Sequence, residues 1–286
     1  MQSLEYLTPE SINHFIEEAL REDIRDGDHS SLASVPVDAV SKAHLLIKGN
    51  GIIAGLEMAR MIFGHYDKDL NLEVNLSDGE PVKKGDIGFV VEGSARSILS
   101  CERLVLNCMQ RMSGIASYTR YLKDLVKDTN AQLLDTRKTT PNFRIAEKWA
   151  VAIGGGKNHR YGLFDMIMLK DNHIDFSGGI GKAIHSTQNY LKENNKKLQI
   201  EIETRNLQEV KEVIEVGGVD VIMLDNMDPD EMKEAVKMIN GKYLTEASGG
   251  ITEETIREVA LCGVDYISIG ALTHSVRSLD ISLKAI

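Results

Sequence analysis

Cysteine is scarce in this chain. Cys101, Cys108 and Cys262 are an odd number at no metal-ligand spacing, which argues against a disulfide framework or a zinc site and for reduced core thiols in a cytoplasmic protein. A surplus of positive charge is also missing. Lys and Arg number 33 against 43 Asp and Glu, a formal net charge of −10, so no nucleic-acid partner is expected, because phosphate backbones demand a basic face. No stretch approaches the ~18 uninterrupted apolar residues of a membrane span. The opening MQSLEYLTPESINHFIEEALRED carries acidic residues where a leader would be apolar, so neither a membrane anchor nor a signal peptide is expected. A dinucleotide-binding glycine turn is absent too: in GGGKNHR, residues 154–160, His159 stands where the last glycine of GxGxxG would be.

What is present is a chain of 286 residues, 42% hydrophobic, enough for one large barrel or two domains. In LTPESINHFIEEALRED, Thr8 caps a helix, Pro9 takes its first position, and Ile12, Phe15, Ile16, Ala19 and Leu20 form one apolar stripe. From Ala43 to Gly93 short strand-like runs are broken by Gly, Pro, Asp and Asn, with LEMARMIFGHY as a helix between them, the pattern of a small α+β domain. The Asp-Gly-x-x-Val-x-x-Gly rhythm of NLSDGEPVKKGDIGFVVEG resembles half of a biotinyl or lipoyl carrier. Only one half is evident, and a β-sandwich core is the better reading. A long helical pattern follows from Ser97 to Thr129, with a break or hinge expected at Gly114.

After Asn130 the rhythm becomes regular. Apolar runs such as QLLD, MIML, IEIE, VIML and YISI end in polar residues and lead into helical patterns, several of them about 22 residues apart. Continuous apolar runs suit strands covered on both faces. Repeated βα units without a dinucleotide turn favour a parallel α/β barrel, in which every βα loop opens onto one face. Strand ends therefore collect at one mouth: Asp135-Thr136-Arg137-Lys138, Lys170-Asp171-Asn172-His173, Glu201 and Glu203, Asp225-Asn226, Glu246 with Ser248-Gly249-Gly250, and Gly270.

That collection holds two chemistries. Arg137, Lys138, Arg160 and Lys170 are cations gathered in an acidic chain, which suits a small ligand with several negative charges. Glu203 and Asp225 suit a hard divalent cation such as Mg²⁺ shared with phosphate oxygens. Glu201 and Glu203 alternate with Ile200 and Ile202, so an ion pair inside the barrel is also compatible with them; His159 and His173 are compatible with satisfied core histidines. Ser248-Gly249-Gly250 and the Gly270-Ala271 turn lack bulky side chains, and their N–H groups, at the starts of helices, suit a phosphate. Together these point to transfer chemistry on a phosphorylated sugar. Lys170, after the apolar run MIM, also fits a lysine-dependent aldolase, although an aldolase has no need of so many neighbouring cations.

The strings ERLVLN, DTRKTTPNFR, GGGKNHR, MLKDNH, EIET, MLDNM, EASGGI and ISIGALTHS span most of the chain. Taken together and in order, they closely resemble the quinolinate phosphoribosyltransferase family, the carboxylating nicotinate-nucleotide pyrophosphorylases. The resemblance implies an α/β fold of two domains: an N-terminal α/β sandwich over residues 1–112, joined by residues 274–286, and an open seven-stranded α/β barrel (TIM-like) over residues 113–273. It implies that quinolinate and phosphoribosyl pyrophosphate, with Mg²⁺, give nicotinate mononucleotide, pyrophosphate and CO₂ in NAD biosynthesis; a paralogous phosphoribosyltransferase with another anionic acceptor would share these motifs.

By the same resemblance, Arg137, Arg160 and Lys170 match ligands of the quinolinate carboxylates, and Thr136, Lys138 and His159 line the same pocket. Glu203 and Asp225 match the acidic pair near the ribose and the metal. Lys138, Glu203 and Asp225 are the residues expected to act at the reacting centre. Ser248, Gly249, Gly250, Gly270 and Ala271 match the phosphate-binding turns. Arg103 matches an arginine inserted into the partner's site, which makes a homodimer the smallest active unit, with a hexamer also compatible. One extra residue at Gly217-Gly218 is placed in a helix–strand turn, and of Glu201 and Glu203 the second is favoured as the functional glutamate.

Overall fold

The computed structural model describes residues 4–286. In chain order the elements are α1 (Pro9–Asp23), α2 (His29–Ser34), β1 (Val40–Ile47), β2 (Gly51–Ile52), α3 (Leu56–Tyr66), β3 (Asn71–Val74), β4 (Pro81–Val82), β5 (Ile87–Ser94) and α4 (Ala95–Leu125). Then come β6 (Gln132–Leu134), α5 (Arg144–Gly154), β7 (Ile167–Leu169), α6 (Asp171–Ser177), α7 (Ile180–Glu193), β8 (Ile200–Thr204), α8 (Leu207–Val216) and β9 (Val221–Asp225). The chain closes with α9 (Pro229–Ile239), β10 (Leu244–Ser248), α10 (Ile256–Leu261), β11 (Tyr266–Ser268), α11 (Ala271–His274) and β12 (Ile281–Ala285). It divides into two compact units. One holds the residues through Arg120 with Lys138–Gly155 and Ala271–Ile286; the other holds Tyr121–Arg137 and Gly156–Gly270.

In the first unit, α1 begins as its sequence predicts. The Thr8 hydroxyl accepts the Ser11 N–H at 3.1 Å and the Thr8 N–H donates back to Ser11 Oγ at 3.1 Å, so the cap satisfies donors that the first turn leaves free. Ile12 and Ile16 are buried, and the Phe15 ring lies 5.6 Å from that of Phe143. A four-stranded sheet, ordered β12-β1-β5-β3, is antiparallel throughout. Its outer member β12 brings the end of the chain onto β1.

Helix α4 runs through Gly114 without a break, contrary to the expected hinge. Glycine stands there because a Cβ would overlap the Arg277 carbonyl of the returning C-terminal segment. The constraint is a close approach of backbone, not a bend. On either side of it, Ser113 Oγ and Ser117 Oγ accept the N–H groups of Ala54 (2.9 Å) and Ile52 (2.7 Å). The thiols of Cys101 and Cys108 are free and buried in this unit, and burial pushes both up to about 12, so they are inert packing groups.

In the second unit all strand pairs are parallel, in the order β6-β11-β10-β9-β8-β7. The predicted βα alternation is correct, but the ladder holds six strands where seven were expected. The missing strand is a single bridge, Leu134 to Lys157, on the free side of β6. Lys157 donates to the Leu133 carbonyl at 2.8 Å, and Asp135 donates to the Lys157 carbonyl at 3.2 Å. The next rung would run from the His159 N–H to the Asp135 carbonyl. That N–H goes instead to the Asp135 carboxylate at 2.9 Å, and the strand ends. Helices α8 and α9 begin at side-chain caps, Asn206 and Asp228. Gly217 and Gly218, both at positive φ, make the turn after α8. Among the described residues, no helix is long and apolar enough to cross a membrane.

Candidate active site

A parallel ladder puts the C-terminal ends of all its strands on one edge, so side chains far apart in sequence are presented together. In the second unit β6 delivers Asp135, Thr136 and Arg137, and the single bridge at Lys157 delivers Asn158, His159 and Arg160. β7 delivers Lys170, β8 Glu203, β9 Asp225, β10 Ser248-Gly249-Gly250, and β11 Gly270. Of the other predicted positions, Lys138, Ala271 and Arg103 belong to the first unit. Lys138 is exposed and its carbonyl accepts the Thr273 hydroxyl at 2.9 Å. Ala271 opens α11, and Arg103 is exposed on α4.

Arg137 and Arg160 lie close enough to repel each other. Arg160 is held below the usual arginine range, first by its burial and then by the charge of Arg137, with the Glu201, Asp165 and Glu203 carboxylates acting in the opposite direction. Arg160 also donates to the Met166 carbonyl at 3.4 Å. Arg137 Nε is buried and has no hydrogen-bond partner. Two neighbouring guanidiniums, one with a buried N–H unmet, are costly unless an anion completes them.

The carboxylates sort by depth. Glu203 accepts Lys170 Nζ at 3.0 Å and the Asp171 N–H at 3.3 Å. The Lys170 N–H in turn donates to His173 Nδ1 at 3.0 Å. Asp225 is raised above the usual carboxylate range by burial first; Asn226 Nδ2, donating at 2.8 Å, lowers it, and the charge of Glu203 raises it further. Glu201, two residues before Glu203 on the same strand, is fully buried, with Oε2 2.7 Å from His159 Nε2. Glu246 lies behind it, 3.6 Å from the same nitrogen. Burial pushes Glu201 up to about 7, and burial with the charge of Glu201 pushes Glu246 up to about 8. Of the two glutamates on β8, Glu203 therefore faces the cationic rim and Glu201 is the buried partner of a histidine.

His159, Glu201 and Glu246 also have ligand atoms within 4.8 Å of one another, a spacing open to a metal. Their raised affinity for protons gives a simpler account: the pair retains a proton near neutrality, and that proton relieves the charge a cation would otherwise offset. Glu203 and Asp225 offer hard oxygen donors on adjacent strands, and the charge of one raises the other. That mutual repulsion is what a divalent cation relieves.

The glycine turn differs in one respect from expectation. Gly249 and Gly250 have φ of +97° and +61°, and a Cβ on Gly249 would overlap the Asn226 side chain. The Asn226 N–H donates to the Ser248 carbonyl at 2.9 Å, so the ends of β9 and β10 interlock. Helix α10, however, begins only at Ile256, and residues 251–255 separate it from the turn. Of the two predicted phosphate turns, only Gly270-Ala271 adjoins a helix, the short α11. Lys170 is half exposed and ion-paired, not enclosed in the apolar pocket that imine chemistry requires.

Sequence reasoning placed Asp135 and Glu246 at strand ends without giving either a role, and it passed over Asn158. The available signal for Asp135 was an acidic residue directly after the apolar pair Leu133-Leu134.

Two family models cover the chain: Quinolinate phosphoribosyl transferase, N-terminal domain, over residues 28–113, and Quinolinate phosphoribosyl transferase, C-terminal domain, over residues 115–284. The mitochondrial quinolinate phosphoribosyltransferase [decarboxylating] 2 of Nicotiana glauca is 47% identical over 99% of this chain and 86% of its own length. The probable nicotinate-nucleotide pyrophosphorylase [carboxylating] of Bacillus subtilis (strain 168) is 41% identical over 95% of this chain and 91% of its own. The crystal structure of NadC from Streptococcus pyogenes superposes with a TM-score of 0.91 at 39% identity, covering 98% of this chain and 99% of that one. Strand-end chemistry, domain content and these likenesses agree, and the chain belongs to the quinolinate phosphoribosyltransferase family.

Proposed function

We infer that this chain transfers the phosphoribosyl group of phosphoribosyl pyrophosphate to the nitrogen of quinolinate with decarboxylation, giving nicotinate mononucleotide, pyrophosphate and CO₂ in NAD biosynthesis. The observation that carries the reading is the Arg137–Arg160 pair, in which a buried N–H without a partner sits beside a second guanidinium. Quinolinate, a pyridine with two adjacent carboxylates, meets that demand, since guanidinium forks match carboxylates.

Arg137, Arg160 and Lys170 grip the diacid, with Thr136, Lys138 and His159 lining the pocket. The grip aims the ring nitrogen at the ribose carbon from which pyrophosphate leaves. Glu203 and Asp225 face the positive charge that develops on the sugar, and Lys138 stands at the reacting centre. Ser248, Gly249, Gly250, Gly270 and Ala271 hold phosphate groups through main-chain N–H groups. Glu203 and Asp225 would hold Mg²⁺, which when bound would stabilise the charge on the departing pyrophosphate. After transfer the ring nitrogen is cationic. The electron pair left at the adjacent carbon when CO₂ departs is stabilised by that charge, and a proton then takes its place, so no enzyme nucleophile is required.

The active unit is a homodimer, or a hexamer built from it, in which the exposed Arg103 enters the partner's site. The chain works in the cytoplasm, a reading supported by its free, buried cysteines. The test is incubation with quinolinate, phosphoribosyl pyrophosphate and Mg²⁺, followed by detection of CO₂ and nicotinate mononucleotide. Turnover of nicotinate in place of quinolinate, with quinolinate inert, would overturn the reading.

A further inference from the structure

Two of the segments that carry the cationic site are tied by one side chain with no part in the chemistry. Asp135 is fully buried at the end of β6. One carboxylate oxygen accepts Asn158 Nδ2 at 2.5 Å, and the other accepts the His159 N–H at 2.9 Å. Arg137 follows two residues after Asp135, and Arg160 directly after His159. The single bridge between Leu134 and Lys157 is all the ladder pairing that holds the second segment to the first. A continued ladder would take the His159 N–H onto the Asp135 carbonyl and carry the chain on in extended form. The carboxylate takes that N–H instead, and the backbone leaves the sheet. It then enters a turn in which Asp165 accepts the N–H groups of Tyr161 (2.6 Å) and Gly162 (2.8 Å). The imidazole of His159 is meanwhile fixed from below by Glu201 at 2.7 Å.

We propose that Asp135 is a positioning residue for quinolinate recognition: by intercepting the next ladder bond it ends the seventh strand after one rung and sets the separation of Arg137 and Arg160. The proposal rests on the quinolinate reading of those arginines. Bidentate recognition requires the two forks to stand at a defined separation, and a displacement of about 1 Å at such a site is enough to weaken it severely. Two charge-assisted bonds to main chain and amide hold the segment more rigidly than a further neutral rung would.

The test uses Asp135→Asn, Asn158→Ala and the exchange Asp135→Asn/Asn158→Asp in the full chain. In D135N an amide nitrogen replaces one acceptor, and both bonds lose their charge assistance even where the Asn158 amide turns to present its oxygen. The exchange returns a carboxylate to the pair with donor and acceptor reversed. The expected result is a KM for quinolinate raised about tenfold or more in D135N and less in N158A, a KM for phosphoribosyl pyrophosphate within twofold of the parent, and recovery of most of the quinolinate effect in the exchange variant. A purely structural role would move both KM values together. Hydrogen–deuterium exchange of the peptide spanning residues 156–162 gives a readout independent of turnover: protection at His159 should fall in D135N and return in the exchange variant. Unchanged protection in D135N, or equal effects on both substrates, would overturn the proposal. If the unaltered chain fails to turn over quinolinate, the functional reading falls, and the exchange measurement alone decides whether Asp135 holds the segment.

Discussion

Lys170 Nζ lies 3.0 Å from Glu203 Oε1, at the ends of adjacent parallel strands. The contact joins the cationic half of the rim to its acidic half. It places a carboxylate where it neutralises the lysine. Lys170→Met should raise the KM for quinolinate at least tenfold, since a charge-assisted bond is worth roughly 1.5–3 kcal/mol. Adding Glu203→Gln to it should cost less than the sum of the single effects, because contacting residues couple. Steady-state kinetics of the four-member cycle measures this; strict additivity would mean that the pair does not act together.

Arg137→Ala and Arg160→Ala should each weaken quinolinate binding more than tenfold by calorimetry, with Lys at either position restoring only part of the loss, because an ammonium cannot reproduce a planar fork. The unmet Arg137 Nε makes this the stronger of the two cases. Unaltered affinity in Arg137→Ala would remove that residue from the site.

Glu246 supplies a pH signature. Its carboxyl is raised to about 8 in the fold against about 4.3 for an unperturbed glutamate. Between those values the native state keeps a proton that the unfolded chain has released. Stability therefore falls as pH rises through that window, and the loss is complete above the folded value. Glu246→Gln, neutral at every pH, should flatten the decline by up to one proton per molecule. Urea midpoints between pH 5 and 9 report it, and parallel curves for the two proteins would contradict the assignment.

Gly114→Ala should destabilise the first unit by about 1–3 kcal/mol, because the added methyl would overlap a main-chain carbonyl, which must shift to admit it. At about 2–4 °C per kcal/mol for a domain of this size, the thermal midpoint should drop by several degrees. An unchanged midpoint would show that the 277–278 segment yields.

Much of this was legible beforehand, for reasons that differ by element. The cap of α1 and the βα alternation are local patterns: Thr8-Pro9 before an apolar stripe, and short apolar runs ending in a charged residue. The strand-end list followed from them, because parallel strands share an edge whatever their spacing in the chain. Glu201 and Glu203 could not be separated by pattern alone, both being acidic residues two apart on one strand. Burial against His159 and Glu246 separates them. The seventh strand was implied by the family resemblance alone and had no place in the pattern of apolar runs, and nothing in GGGKNHR says that a carboxylate will capture the His159 N–H.

What the amino-acid order determined alone is therefore the class of fold, the family and the residues that meet at the strand ends, because periodicity and motif are properties of neighbours. Which glycine serves a contact, which glutamate is buried and where the ladder stops were decided only in the folded chain. Each depends on a group brought in from a distant segment, Arg277 against Gly114, Glu246 behind Glu201, Asp135 beneath His159, and a hydrogen bond or a clash exists only once both partners are in place.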